Sequence, residues 1–473
     1  MNSVARFAFL WLLVLELAGC AVQRYQEAPL VPATTASTLD SRNLSDPGLQ
    51  PYVEKSLGHA VSPWPPKQCD LPTLSLIAVY FSPEIQAARA RLEEADAAIT
   101  TAGARPNPAF DFSPGVPSPY LLTTDVLIPL ETRGKRGLRL RSARSLDEAA
   151  RLDLADTEWR VHSAVRKALL DYLLASRSLD LYRSEERVRD EQVKLLQERF
   201  IAGDIPRPEL DLARIELSKS HLAINTADGL VAQAKASLAA AMTIPAGSLD
   251  GIEFAWSDLD SPPDAQSVSV QEVRRDAVVD RLDVRRALLQ YAATESDLQL
   301  EIAKQYPDVQ IGPGYTYEEK DNFFTVGLSV TLPIFNRNRG PIAEAEARRK
   351  EAAAAFLQKQ AQVLGDSERA FATYSAALNE LREAGQSLRQ LQDTQLRMTQ
   401  LAVRAGEEDR LTLNGVQLEN AAVARAQLDA LGRAQTALGD LEDALQRPLT
   451  ASDKFPVNPE SGTSKNAALE SSR

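Results

Sequence analysis

The chain carries two copies of one pattern. The run NPAFDFSPGV from Asn107 is echoed by YPDVQIGPGY from Tyr306, which sets Pro108, Pro114 and Gly115 on Pro307, Pro313 and Gly314 at an offset of 199. IPLETRGKRG from Ile128 is echoed by LPIFNRNRG from Leu332, with Pro129 and Arg133 on Pro333 and Arg337. RFIAGD, ending at Asp204, falls on VRAGE, ending at Glu407, and Pro245 falls on Pro448. Gly203 to Pro245 is 42 residues, as is Gly406 to Pro448. A tandem duplication with equal internal intervals requires both halves to adopt one architecture.

Proline costs about 3 kcal/mol in a helix interior, so proline-free stretches mark where long helices can run. Four stand out, at 130–205, 209–244, 264–306 and 342–447. In the first, Val161, Val165, Ala168, Tyr172, Ala175, Leu179 and Tyr182 alternate spacings of four and three, and Val193, Leu196 and Phe200 resume the register. That is a coiled-coil seam. In the last, Phe371, Tyr374, Leu378, Leu381 and Leu388 keep a similar period, with Gly385 where a close backbone approach is expected. The pattern predicts helices over 138–202 and 342–405, each about 100 Å long at 1.5 Å per residue. Returning helices are expected over 209–241 and 411–445, and a helix ahead of each hairpin over 71–104 and 270–304.

The hairpins lie between these helices. Residues 109–116 and 120–128 flank Pro117-Ser118-Pro119, while 308–317 and 322–332 flank Glu318-Glu319-Lys320-Asp321. Phe324, Val326, Leu328, Val330 and Leu332 alternate with Thr325, Gly327, Ser329 and Thr331, the period-two pattern of a transmembrane β-strand. Four strands cannot close a barrel, for which about eight is the practical minimum, so the chain is expected to oligomerise. The expected fold is mainly α with a transmembrane β-barrel portion.

Composition removes other classes. The formal charge of −12 excludes nucleic acid as the main partner. Cys20 and Cys69 are the only cysteines, and His59, His162 and His221 are scattered, so neither a disulfide framework nor a metal or cofactor site is expected. No nucleophile elbow and no Walker loop is present, and an enzyme is not expected. Residues 1–19 have the charge and apolar run of a secretory signal, closing on Leu17-Ala18-Gly19-Cys20. This motif resembles a bacterial lipobox, with Cys20 as the lipidated mature N-terminus; an ordinary signal with a coincidental cysteine is the alternative. Residues 20–70 read as an extended tether, 71–262 and 263–448 as the two repeats, and 449–473 as a disordered tail.

Two hairpin-and-long-helix repeats, the apparent lipobox and the paired turns RFIAGD and VRAGE resemble a TolC-like outer-membrane efflux factor. The segment LPIFNRNRGPIAEAEARR is similar to the branch serving cobalt, zinc and cadmium resistance, although the first half has ETRGKRG at the equivalent place. The resemblance implies a homotrimer with a 12-strand barrel in outer-membrane lipid, continuing into a periplasmic α-helical tunnel. It implies as partners a periplasmic adaptor and an inner-membrane resistance-nodulation-division pump. It also places the adaptor contact at the tip formed by Ala202, Gly203, Asp204, Ala405, Gly406 and Glu407. Gly203 and Gly406 are equally readable as plain helix C-caps. Glu407, Glu408 and Asp409 are either a cation-attracting aperture or a solvated acidic turn. A multidrug channel, a type I protein-secretion duct and a structural periplasmic coiled-coil lipoprotein are the competing functions.

Overall fold

The computed structural model describes residues 25–116, 121–264 and 270–450. The signal segment, Cys20, Ser118 and residues 451–473 of the tail lie outside the described residues. The chain divides into two units, 1–42 and 43–473. The first carries one exposed helix, α1 (Pro32–Asp40), started by its own proline. All that follows concerns the second.

In chain order its elements are α2 (Leu49–Leu57), β1 (Gln68–Cys69), α3 (Leu71–Phe81), α4 (Pro83–Gly103), β2 (Ala109–Gly115) and β3 (Leu121–Leu130), then α5 (Lys135–Ala202), α6 (Arg207–Ala241) and β4 (Glu253–Phe254). The second half runs through α7 (Val270–Val279), α8 (Leu282–Ala303), β5 (Val309–Glu318), β6 (Asp321–Val330), α9 (Arg339–Arg382), α10 (Arg389–Ala405) and α11 (Arg410–Leu445). The helices ahead of the hairpins, each expected as one, are two. Ser82 turns extended, its Oγ accepts the Ile85 N–H, and Pro83 begins α4. Arg281, 199 residues later, breaks α7 from α8 in the same way without a proline.

Residues 43–70 correct the expectation of a tether. Leu44, Leu49, Val53 and Cys69 join one buried cluster with Leu74 and Ile77, and Trp64 Nε1 donates to Leu44 O at 2.7 Å. β1 pairs in parallel with β4, tying the start of the first repeat to its end. Cys69 is a free buried thiol, and burial pushes its pKa up to about 12.

α5 runs 68 residues without a break, and Val161, Val165, Ala168, Leu179 and Leu196 of the seam are buried. Its counterpart is interrupted: between α9 and α10 lies a six-residue π-helical segment, Glu383–Leu388. Gly385 sits there rather than at a close approach, because a Cβ would meet nothing nearer than Gln427 Nε2 at 3.8 Å. The tight contacts fall on α11, where a Cβ on Gly432 would lie 2.9 Å from Leu174 Cδ1 and one on Gly439 would collide with the Arg166 guanidinium.

One core joins α3, α5 and α6 through Leu74, Ile77, Val165, Leu169 and Leu238; a second joins α7, α9 and α11 through Val273, Val363, Tyr374 and Leu438. Polar groups bridge the halves. Arg166 on α5 pairs with Glu442 on α11 at 3.0 Å, both buried, and donates to Gln435 O at 3.1 Å. Gln435 donates in turn to Leu259 O at 2.7 Å. Trp159 Nε1 and Ser163 Oγ both donate to the Asp443 carboxylate, at 2.9 and 2.6 Å. Burying one charge of such a pair alone is strongly unfavourable. Arg166→Met is expected to destabilise the fold by about 3–5 kcal/mol, and Arg166→Met with Glu442→Leu by clearly less. Equilibrium unfolding in urea measures both.

Glu158, two turns before Arg166, is 2% exposed and neither carboxylate oxygen has a hydrogen-bond partner among the described residues. Burial pushes its pKa up to about 7, partly offset by Arg89. One turn on, burial lowers His162 to about 4, and its Nδ1 shares a 2.8 Å hydrogen bond with Ser75 Oγ. Because the folded state holds the Glu158 proton more tightly than the unfolded chain, stability falls as pH rises from the ordinary glutamate range to about 7. Above that it levels. Glu158→Met should therefore flatten this slope and raise stability at pH 8 by on the order of 3 kcal/mol. Thermal unfolding of both proteins from pH 5 to pH 8 reads the difference.

Candidate functional site

Two features at opposite ends of the long helices carry the functional geometry. The first is the four-stranded antiparallel sheet, ordered β2-β3-β5-β6. β5 and β6 are joined by a two-residue turn in which Glu319 and Lys320 both have positive φ, the geometry that follows strand twist. This turn is tighter than the four-residue loop expected, and β6 ends at Val330 rather than at residue 332.

Directly paired residues share a face of a sheet, so the register sorts the side chains. Phe112, Thr124, Tyr315 and Phe324 form one row; Ile128, Ile311 and Leu328 form another; Leu130, Val309 and Val330 a third. Phe110 and Val126 pair on the same face, as do Pro313 and Val326. The opposite face holds Asp111 beside Asp125, Thr123 beside Thr316, and Gln310 beside Ser329. One face is thus mainly apolar, interrupted by Thr124 and Asn322, with Phe324 84% exposed; the other is mainly polar but also carries Leu121, Leu127 and Phe323. Gly312 is obligatory, since a Cβ there would overlap the Val126 carbonyl oxygen. No helix among the described residues is long and apolar enough to cross a membrane.

The second feature is the tip. α5 and α10 end alike: Gly203 and Gly406 adopt φ of 85° and 79°, with Asp204 N–H bonded to Arg199 O and Glu407 N–H to Ala402 O, both at 2.9 Å. These are Schellman closures, for which glycine is favoured because no Cβ opposes positive φ. Ala202, Gly203, Asp204, Ala405, Gly406 and Glu407 are all exposed. The three acids of the second turn are not equivalent. Asp409 caps α11, accepting Thr412 N–H at 2.7 Å, and pairs with Arg199 Nη2 of α5 at 2.8 Å. The Thr412 backbone hydrogen bond, with Arg199 and the Thr412 hydroxyl, lowers the Asp409 pKa to about 2. Glu407 and Glu408 are exposed and have no such partners among the described residues.

Sequence reasoning missed what holds the second turn. Arg199 and Glu191, both on α5, pair with Asp409 and Arg410 across more than 200 residues, and Leu411 packs on Leu196, Leu210 and Ala213. No local signal marks such pairs.

The family model described as outer membrane efflux protein matches residues 78–243 and 273–446. A curated relative, the cobalt-zinc-cadmium resistance protein CzcC of Cupriavidus metallidurans, is 25% identical over 271 residues. That alignment spans 55% of this chain and 62% of the relative's length. Among solved structures, the outer membrane protein VceC of Vibrio cholerae is similar with a TM-score of 0.63 and 19% identity, over 80% of this chain and 97% of that one. CusC is similar with a TM-score of 0.63 and 15% identity, covering 90% and 99%. The outer-membrane channel OprN gives 0.61 and 16%, also covering 90% and 99%.

The Asp409 geometry separates two contributions at the tip. Asp409→Asn should keep the cap and lose the ion pair, whereas Asp409→Ala should lose both, the cap alone being worth about 1 kcal/mol. Amide exchange at residues 410–413 is expected to rise slightly in the first variant and several-fold in the second. Since the ionised form persists down to about pH 2, neither difference should change between pH 5 and pH 8.

Proposed function

We propose, on the premise that the chain belongs to the outer membrane efflux protein family, that it is the exit channel of a three-part efflux system exporting heavy-metal cations. It is a channel protein, not an enzyme. The observation that carries the reading is the sheet with one mainly apolar face, set at the root of helices about 100 Å long. The apolar face meets outer-membrane hydrocarbon, and the polar face, with Asp111 and Asp125 side by side, lines a water-filled lumen. Three copies, each giving four strands, close a barrel, and the repeats 71–262 and 263–448 continue it as a helical tunnel through the periplasm.

At the far end the paired glycine turns receive a periplasmic adaptor, which links the channel to a proton-driven inner-membrane pump. Glu407 and Glu408 attract cations at the aperture, while Asp409 holds the turn closed on α5. Cys20 carries the lipid that secures the chain to the membrane. The metal substrate is supported by the resemblance to a cobalt-zinc-cadmium resistance protein and by the carboxylates at both ends of the path.

The test uses a strain lacking this chain. Zinc, cobalt and cadmium sensitivity should be restored to tolerance by the wild type. Gly406→Val, whose Cβ meets no neighbour but is strained at positive φ, should assemble without restoring tolerance. Glu319→Cys in a Cys69→Ala background should react with a membrane-impermeant maleimide on intact cells. Labelling only after lysis overturns the barrel topology, and unchanged metal sensitivity overturns the substrate.

A further inference from the structure

The chain is acidic overall, yet its cations gather where the strands join the long helices. Residues 131–144 hold six, Arg133, Lys135, Arg136, Arg139, Arg141 and Arg144, against the single carboxylate Glu131. At the offset of 204 that sets Arg133 on Arg337, the equivalent stretch of the second repeat, 335–348, holds Arg337, Arg339 and Arg348 against Glu344 and Glu346, with Arg349, Lys350 and Glu351 following. A strong charge excess in the first repeat, and a weaker one of the same sign in the second, in a chain of net charge −12, call for a physical reason.

Part of the excess is spent internally. Lys135 is buried, its Nζ donating at 2.7 Å to both Tyr306 O and Asp308 Oδ1. Arg139 pairs with Glu131, Arg349 with Glu295 at 3.2 Å, and Arg133 stacks on the Tyr306 ring at 3.9 Å. Arg136 reaches only the Gly103 carbonyl, at 2.6 Å. Arg136, Arg144, Arg337 and Arg339 are exposed, and none has a carboxylate partner among the described residues. Beside them stand bare apolar groups: Leu332, Ile334 and Leu130 are exposed and Phe335 is 100% exposed.

Unpaired arginines interleaved with exposed apolar side chains, at the edge of an apolar sheet face, match the chemistry of a lipid headgroup layer. Phosphates take the guanidiniums, while the aromatic and aliphatic groups sink to the acyl boundary. We propose that this collar binds the anionic phospholipid headgroups of the membrane's periplasmic leaflet, seating the channel at a fixed depth. The inference rests on the membrane reading above. Each arginine near an anionic surface contributes about a fivefold gain in binding at low salt, and the gain shrinks as salt screens it.

The test reconstitutes the full chain into phosphatidylcholine vesicles with and without a minority of phosphatidylglycerol. Channel conductance reports insertion, and native mass spectrometry after detergent extraction reports retained lipid. Wild type should insert in both and retain phosphatidylglycerol in preference. The variant R136Q/R144Q/R337Q/R339Q should insert, conduct, and lose that preference by roughly tenfold or more. Phe335→Ala should weaken retention of both lipids equally. Equal retention of the two lipids by inserted wild type overturns the proposal, as does a quadruple variant with undiminished preference. If Phe335→Ala instead dissociates the copies and leaves lipid retention intact, the collar is a contact between copies. Failure to insert in either vesicle overturns the membrane reading itself, and the proposal with it.

Discussion

The buried pair between Arg166 and Glu442 joins the two halves of the molecule midway between the sheet and the tip. The duplicated halves, each with its own apolar core, are held in register at the sheet by the β3–β5 ladder and at the tip by Arg199 and Glu191, but between them aliphatic contacts are non-directional. Arg166 keys the halves there. Its guanidinium pairs with a carboxylate, donates to Gln435 O, lies 4.9 Å from the Trp256 ring centroid, and fills the space a side chain at Gly439 would need. Desolvating both charges makes such a pair a weak source of net stability, so its contribution here is placement. Gly439 and Gly432 then follow as consequences: α11 must come close enough for Arg166 and Leu174 to reach it.

That fixed register is transmitted along the helices. α5 is continuous from Lys135, at the sheet, to Ala202, at the tip, so the element that carries Arg166 also carries Glu191 and Arg199. Those two residues hold the second turn through Arg410 and Asp409. The second half is built differently, because its long helix passes through the π segment before reaching Gly406. A π turn departs from the α-helical hydrogen-bond ladder and commonly marks a functional bend. The first repeat accordingly reaches the tip on an unbroken α-helix, and the second on one interrupted by a π segment.

What could be read from the sequence was what is locally encoded. Gly203 and Gly406 announce their turns because positive φ selects glycine. β6 announces itself because period two needs only its own residues. The split at Ser82 has a local mark in Pro83 that the expectation of one helix over 71–104 passed over, and the matching split at Arg281 carries no proline. Residues 43–70 were misread because a proline-rich stretch resembles a tether, and its few apolar groups, Leu44, Leu49 and Val53, matter only once a core exists to receive them. The same holds for Asp409. As sequence it is one of three acids in a turn, and as structure it is a cap bound to an arginine 210 residues away. Its role comes from topology, which composition does not contain.

The sheet sets the last constraint. β2 and β6 are its edges within one chain, each with a row of backbone groups facing no partner strand of that chain. In water such an edge is tolerable, but in hydrocarbon each unsatisfied N–H or C=O costs several kcal/mol. The apolar face and the open edges therefore cannot be explained separately: a sheet that enters lipid by the first must close by the second. The duplication already provides the means, since a second copy of the chain presents to β6 the same kind of strand that β5 presents from within. In the assembly proposed above, closure around an axis would place the polar face inward and align every α5 with the same end toward the membrane, which would turn a property of four strands into the geometry of the whole.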